Sequence, residues 1–275
     1  MSSPRGNEEG QERVKRSPRT RHNYILVLPS MFTTGNLFCG FYSILHSFNH
    51  DFERASYAIL LAGIFDILDG RVARITRSTS KFGVEYDSIA DVVSFGIAPA
   101  ILTYVWMLQP LGRLGWAGAF FFAACGALRL ARFNTIAEEL PKSYFLGLPI
   151  PAAANVIASV VIAHTELPWS HPEPVVLFLV FALGILMVSS IRYRSFKDFD
   201  LRHRRSFFLL VLLVGGLAFV AIKPELSLCL VFGYYAAWGP IREFLSVLKR
   251  PFERKRQGVE KLPEKLSEKL PEKLQ

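Results

Sequence analysis

Four aspartates stand close together in this chain, in the runs Phe65-Asp66-Ile67-Leu68-Asp69-Gly70-Arg71-Val72-Ala73-Arg74 and Gly83-Val84-Glu85-Tyr86-Asp87-Ser88-Ile89-Ala90-Asp91. If both runs are helical, Asp66 and Asp69 share a face at i,i+3, and Asp87 and Asp91 share one at i,i+4. The link between the runs is short, so their helices are predicted to be antiparallel neighbours whose four carboxylates converge on one cavity. Oxygen ligands without His or Cys suit a hard divalent cation, Mg²⁺ or Mn²⁺, over zinc or copper. Two such ions balance four carboxylates in charge. Paired ions suit phosphoryl chemistry, where they clamp a pyrophosphate and stabilise the attacking and leaving oxygens. Gly70 and Gly83 lie beside the acids, where the absence of a Cβ would let a phosphate approach the backbone. Arg74 is placed to bind phosphate as a fork. The bland alternative is a structural salt-bridge cluster of the acids with Arg71 and Arg74.

The elements that must hold these acids are strongly apolar. Of the 275 residues, 51% are hydrophobic, and the mean hydropathy is +0.28 despite two very polar ends. From Tyr24 to Val247 the sequence repeats apolar stretches of roughly 17 to 25 residues, each long enough to cross ~30 Å of hydrocarbon. They are apolar on every face, without the two-residue alternation of a barrel or the heptads of a coiled coil. The predicted fold is therefore all-α: a polytopic membrane bundle of about eight transmembrane helices, at 24–48, 55–75, 84–108, 115–135, 147–164, 174–191, 207–222 and 225–246. An aspartate inside such a span costs on the order of 2.5 to 3.5 kcal/mol, so four together call for a cationic partner.

Arg and Lys concentrate in the N-terminal tail and in the segments around 71–81, 129–142 and 192–205, whereas the opposite side has Arg54, Arg113 and Lys223. The positive-inside rule then puts both termini in the cytoplasm. Residues 1–22 are expected to be a basic tail, 23–248 the membrane domain, and 249–275 a charged low-complexity tail repeating Glu-Lys-Leu-Pro/Ser. No cleavable signal peptide is expected. The net charge of +9 fits this topology and attraction to anionic headgroups. The basic residues are spread over loops with no domain to organise them, so no nucleic-acid partner is expected. Cys39, Cys125 and Cys229 fall inside spans and are expected to act as small hydrophobes. His46, His50, His164 and His171 lie toward the side away from the acids.

From Asp66 to Asp91 the sequence resembles the CDP-alcohol phosphatidyltransferase family, matching its motif D-x2-D-G-x2-A-R-x8-G-x3-D-x3-D at every fixed position. The resemblance implies a membrane enzyme that uses an alcohol to displace CMP from a CDP-linked lipid, with divalent metals. It assigns Asp66, Asp69 and Asp87 as metal ligands and Asp91 as the base, with Asp91 also counted in the ion-binding set. It further implies a CDP-lipid pocket formed by Thr33, Asn36, Gly70, Ala73, Arg74 and Gly83. The stretches Leu28 to Gly40, Glu85 to Gly96, Ala127 to Asn134 and Gly147 to Ala152 look like the integral-membrane phosphatidylserine synthase branch, with Ser30 a departure where many relatives carry Asn. The expected substrates are CDP-diacylglycerol and serine, in a bacterial or archaeal cytoplasmic membrane with the site facing the cytoplasm. The bilayer, and a second copy in a homodimer, are candidate partners.

Serine carries a carboxylate that needs a cation or N–H donors, which Arg129 and Arg132 at the cytosolic end of the fourth helix could supply. The alternative for that pair is ordinary flanking charge. Rival functions are the same transfer to glycerol phosphate, inositol phosphate or choline, the same chemistry on an archaeal ether lipid, and divalent-cation transport.

Overall fold

The computed structural model describes residues 20–76, 80–136, 144–194 and 223–260. Helix α1 (Thr20–Phe48) turns directly into α2 (Phe52–Thr76). In that turn His50 takes a left-handed conformation (φ 58°), and Asp51 Oδ1 accepts from Arg54 N at 3.2 Å in the first turn of α2. A third rod runs without interruption from Lys81 to Leu111. It begins as α3 (Lys81–Asp91), passes through a π-helical turn (Val92–Ile97) into α4 (Ala98–Thr103), and ends in a second π-helical turn (Tyr104–Leu108) and a short 3₁₀ turn. After Gly112 (φ 56°) follow α5 (Arg113–Ile136), α6 (Ile150–Glu166), α7 (Pro172–Val188) and α8 (Pro224–Glu260). Prolines in the first turns of α6, α7 and α8 sit where the missing N–H costs nothing.

Helix α1 packs along α2 and against the third rod, α2 also packs on α6, α6 on α8, and α5 on α7. The core gathers where these meet, with Ile59, Phe95, Leu102, Phe122 and Ile157 essentially inaccessible. The rods Lys81–Leu111 and Arg113–Thr135, of 31 and 23 residues, are long and apolar enough to cross a bilayer, while α6 and α7 are shorter apolar helices. Large apolar side chains cover the outside as well: Phe38, Phe120 and Phe178 are 63%, 68% and 73% exposed. A surface of this kind belongs in an apolar surrounding.

The described residues are overwhelmingly helical, as expected, and the details differ in a few places. One short ribbon joins the helices: β1 (Tyr144–Leu146) pairs antiparallel with β2 (Arg192–Arg194). Helix α7 stops at Val188, so the last residues of the predicted 174–191 span leave the helix for this ribbon. The reason lies in backbone satisfaction: Gly147 (φ 74°) donates its N–H to Ile191 O at 2.9 Å, and Leu148 N donates to Leu186 O at 3.0 Å. A Cβ on Gly147 would lie 2.2 Å from Met187 O, so only glycine fits that crossing. Helix α8 continues through Pro251 to Glu260, into the stretch expected to be tail. The packing of α2 on the third rod runs through the first π turn and α4 instead of along α3. The predicted 207–222 span, residues 1–19 of the N-terminal tail and residues 261–275 lie outside the described residues.

Candidate active site

Helix α2 supplies Asp66 and Asp69, and α3 supplies Asp87 and Asp91. Ser80 starts α3 by accepting from Gly83 N at 3.0 Å, which sets the phase of the helix and so the face on which Asp87 and Asp91 appear. Carboxylate oxygens of Asp66, Asp87 and Asp91 all lie within 4.8 Å of one another. Asp69 stands one turn further along α2, buried, and accepts a hydrogen bond from Thr33 Oγ1 of α1. It remains close enough to Asp66 and Asp87 to interact with both electrostatically.

This concentration of negative charge has no cation in contact: among the described residues, no Lys or Arg pairs with any of the four acids. Arg71 and Arg74 are exposed, so the geometry does not form the salt-bridge cluster weighed from sequence. Asp87 Oδ1 is buried without a hydrogen-bond partner. Carboxylate oxygens converging without His or Cys, one of them unsatisfied, fit a hard divalent cation.

The rest of the site is built by α1, α5 and α8. Asn36, fully buried, donates from Nδ2 to Asp91 Oδ1 at 3.0 Å. Thr34 Oγ1 donates to Ser30 O at 2.6 Å and lies 3.0 Å from Tyr86 Oη, joining α1 to α3 on the exposed side. Arg129 of α5 is 8% exposed, with a buried, unpartnered Nε, and interacts electrostatically with Asp91 and with Tyr235 of α8. Arg132, one turn away, is exposed and donates from a guanidinium nitrogen to Val188 O at 3.2 Å, at the C-terminal end of α7. A cation there satisfies an orphan carbonyl and complements the helix dipole. The structure therefore separates two arginines that spacing alone had paired.

The glycines separate too. A Cβ on Gly70 would meet only the Arg74 guanidinium at 3.9 Å, so the backbone there is open to a ligand, with Ala73 half-buried beside it. The Gly83 N–H is taken by the Ser80 cap, and a Cβ there would crowd Ser80 Oγ at 3.2 Å. Thr33 and Asn36 are both buried against acids. Of the histidines, His46 pairs with Asp51 at the far end of α1, and His164 packs between Trp106 and Trp169. Sequence reasoning missed Tyr235, Tyr86 and Ser94, whose Oγ donates to Asn36 O at 2.9 Å. Each joins the site through a partner on another helix, which spacing within one element does not reveal.

Residues 26–192 match the CDP-alcohol phosphatidyltransferase family, a stretch that contains all four acids and both arginines. The chain belongs to this family. It is 39% identical over 236 residues to the CDP-diacylglycerol-serine O-phosphatidyltransferase of Helicobacter pylori strain J99, covering 85% of this chain and 98% of that one. It is 37% identical over 214 residues to the enzyme of the same name from Methanocaldococcus jannaschii, covering 77% and 92%. With the namesake from Bacillus subtilis it shares 36% over 176 residues, covering 64% and 92%. Like a CDP-alcohol phosphatidyltransferase should, the site joins an acidic centre to a surface of apolar helices. A lipid-linked substrate can then bring its phosphates to divalent cations that the acids would hold while its chains stay in hydrocarbon.

Proposed function

We propose that this chain transfers the phosphatidyl group of CDP-diacylglycerol to the hydroxyl of serine, giving phosphatidylserine and CMP. The observation that carries the reading is the convergence of Asp66, Asp87 and Asp91 with no Lys or Arg ion-paired to them among the described residues, in a chain of this family. Asp66, Asp69, Asp87 and Asp91 would hold Mg²⁺ or Mn²⁺, in a pair of ions, which supplies charge neutralisation for the pyrophosphate. The open backbone at Gly70, with Ala73 and Arg74 beside it, receives the CDP moiety. Asp91 takes the proton of the serine hydroxyl as its oxygen bonds to the phosphorus that bears diacylglycerol. The bond from that phosphorus to the CMP oxygen breaks, and CMP leaves with the electron pair. Arg129, buried beside Asp91, receives the serine carboxylate. Arg132 belongs to the α7 end and has no part in acceptor binding.

In this reading residues 23–248 form one catalytic membrane domain of eight spans. Both termini and the acid cluster face the cytoplasm of a bacterial or archaeal cell, in agreement with the Arg and Lys distribution. The deciding experiment gives the purified protein CDP-diacylglycerol and a panel of alcohols, and measures CMP release and the lipid formed. Serine is expected to be used far better than ethanolamine, which has the ammonium and hydroxyl but no carboxylate. Better use of ethanolamine, glycerol phosphate or inositol phosphate would overturn serine as the acceptor and leave the family unchanged.

A further inference from the structure

We propose that Asn36 positions Asp91 for proton abstraction, an inference that rests on the reading of Asp91 as the base. Asn36 lies on α1, 0% exposed, and its Nδ2 donates to Asp91 Oδ1 at 3.0 Å. The chemistry fixes the amide orientation: turned over, Oδ1 would face a carboxylate oxygen, acceptor against acceptor. The same residue is tied to the next turn of the third rod through its backbone, since Ser94 Oγ donates to Asn36 O at 2.9 Å. The approach that permits both ties depends on Gly40, where a Cβ would fall 2.4 Å from Ser94 Oγ and 2.6 Å from Ser94 Cα. Asn36 thus grips the rod at the base and one turn beyond it.

A carboxylate offers two oxygens. Asn36 engages Oδ1 from the α1 side and so fixes the plane in which the carboxylate meets the ion set and the incoming hydroxyl, and its complete burial keeps water from competing for Oδ1. The amide also retains a cost: its own Oδ1 is buried and unpartnered. A contact that served packing alone would be made more cheaply by an apolar pair. Asn36 is fully buried against the base, and in this reading its amide serves Asp91.

The test uses the purified full-length protein with saturating divalent metal. It measures kcat and both KM values per folded molecule, with the folded fraction taken from thermal unfolding. Asn36→Ala and Asn36→Asp are expected to lower kcat about ten- to a hundredfold, the effect of losing a hydrogen bond to a charged group. KM for CDP-diacylglycerol and for serine should stay within about threefold, the split expected when only the turnover step is impaired. A kcat loss below about twofold, a loss that only follows the folded fraction, or a rise of about tenfold or more in KM for CDP-diacylglycerol would each overturn the proposal. The exchange Asn36→Asp with Asp91→Asn keeps the hydrogen bond but moves the carboxylate to α1. It should recover the melting temperature and leave turnover as low as Asp91→Asn alone, and recovered turnover would overturn the proposal. Asp91→Asn with wild-type turnover would instead remove the base assignment itself, whatever Asn36 does.

Discussion

Two seams in this bundle close over glycine, and their surroundings differ. Where α1 crosses the third rod, Gly40 lies over Ser94, and the neighbouring groups are polar: Ser94 to Asn36, Asn36 to Asp91, Thr33 to Asp69. Where α5 meets α7, a Cβ on Gly184 would stand 2.6 Å from the Phe121 ring and one on Gly118 2.8 Å from Leu177, with the rings of Phe121 and Phe181 5.0 Å apart. Both contacts gain dispersion energy by excluding a side chain. Only the first also locks the direction of an acid. Close helix approach alone therefore does not mark a site, whereas close approach that fixes hydrogen bonds to carboxylates does.

The largest expected effect is on the polar side. Asp66→Asn or Asp87→Asn should reduce CMP release by about a hundredfold or more, since each removes a ligand from the cations that would neutralise the reacting phosphates. Excess chelator should abolish CMP release and added Mg²⁺ or Mn²⁺ restore it; full activity in chelator would mean that the acids act without metal. Next comes Arg129→Ala, which removes a charge-assisted bond of about 1.5 to 3 kcal/mol and should raise KM for serine roughly 10- to 150-fold. Steady-state rates at varied serine would check this, and the affinity for CDP-diacylglycerol should hardly change.

The two glycines test the comparison itself. Gly40→Ala and Gly184→Ala should each destabilise by about 1–3 kcal/mol through overpacking, seen as lower melting temperatures in detergent. Turnover per folded molecule should fall several-fold for Gly40→Ala and stay within about twofold for Gly184→Ala. Equal losses of turnover would erase the distinction between the seams. The smallest effect belongs to Arg132→Ala. It should cost about 0.3–1 kcal/mol as the α7 end loses its cation, with KM for serine unchanged; a serine KM that rose with it would return Arg132 to the acceptor site.

Much of the helical plan was legible because hydrocarbon thickness dictates the length of an apolar run. The meeting of Asp66 with Asp87 and Asp91 was legible because i,i+3 and i,i+4 spacing fixes a face. Contacts between elements were not. Asp69 and Asp66 share a face in sequence terms, yet it is Asp69 that accepts from the Thr33 hydroxyl, because α1 passes that turn. Arg129 and Arg132 look equivalent until α8 brings Tyr235 to one and α7 brings Val188 to the other. Gly70 and Gly83 flank the same acids, and it is the cap at Ser80 that tells them apart. The β1–β2 ribbon left no apolar period to read, being three residues on each side.

The π turns of the third rod set a phase relation between catalysis and anchorage. Ala98 N donates to Val93 O and Gln109 N to Tyr104 O, five residues back in each case, so each turn lodges a residue beyond the α repeat. Since an α-helix advances roughly 100° per residue, the buried face of α4 with Ala98 and Leu102 is rotated by about that much from where an unbroken helix through Asp87 and Asp91 would carry it. The rod thus presents its acids to α2 and its apolar face to the core in two separate angular frames. Deleting one residue between Val92 and Ile97 would merge those frames. Either the acids would turn away from Asp66 or the lower half would turn away from α6, so a one-residue change far from any loop would cost the site or the fold.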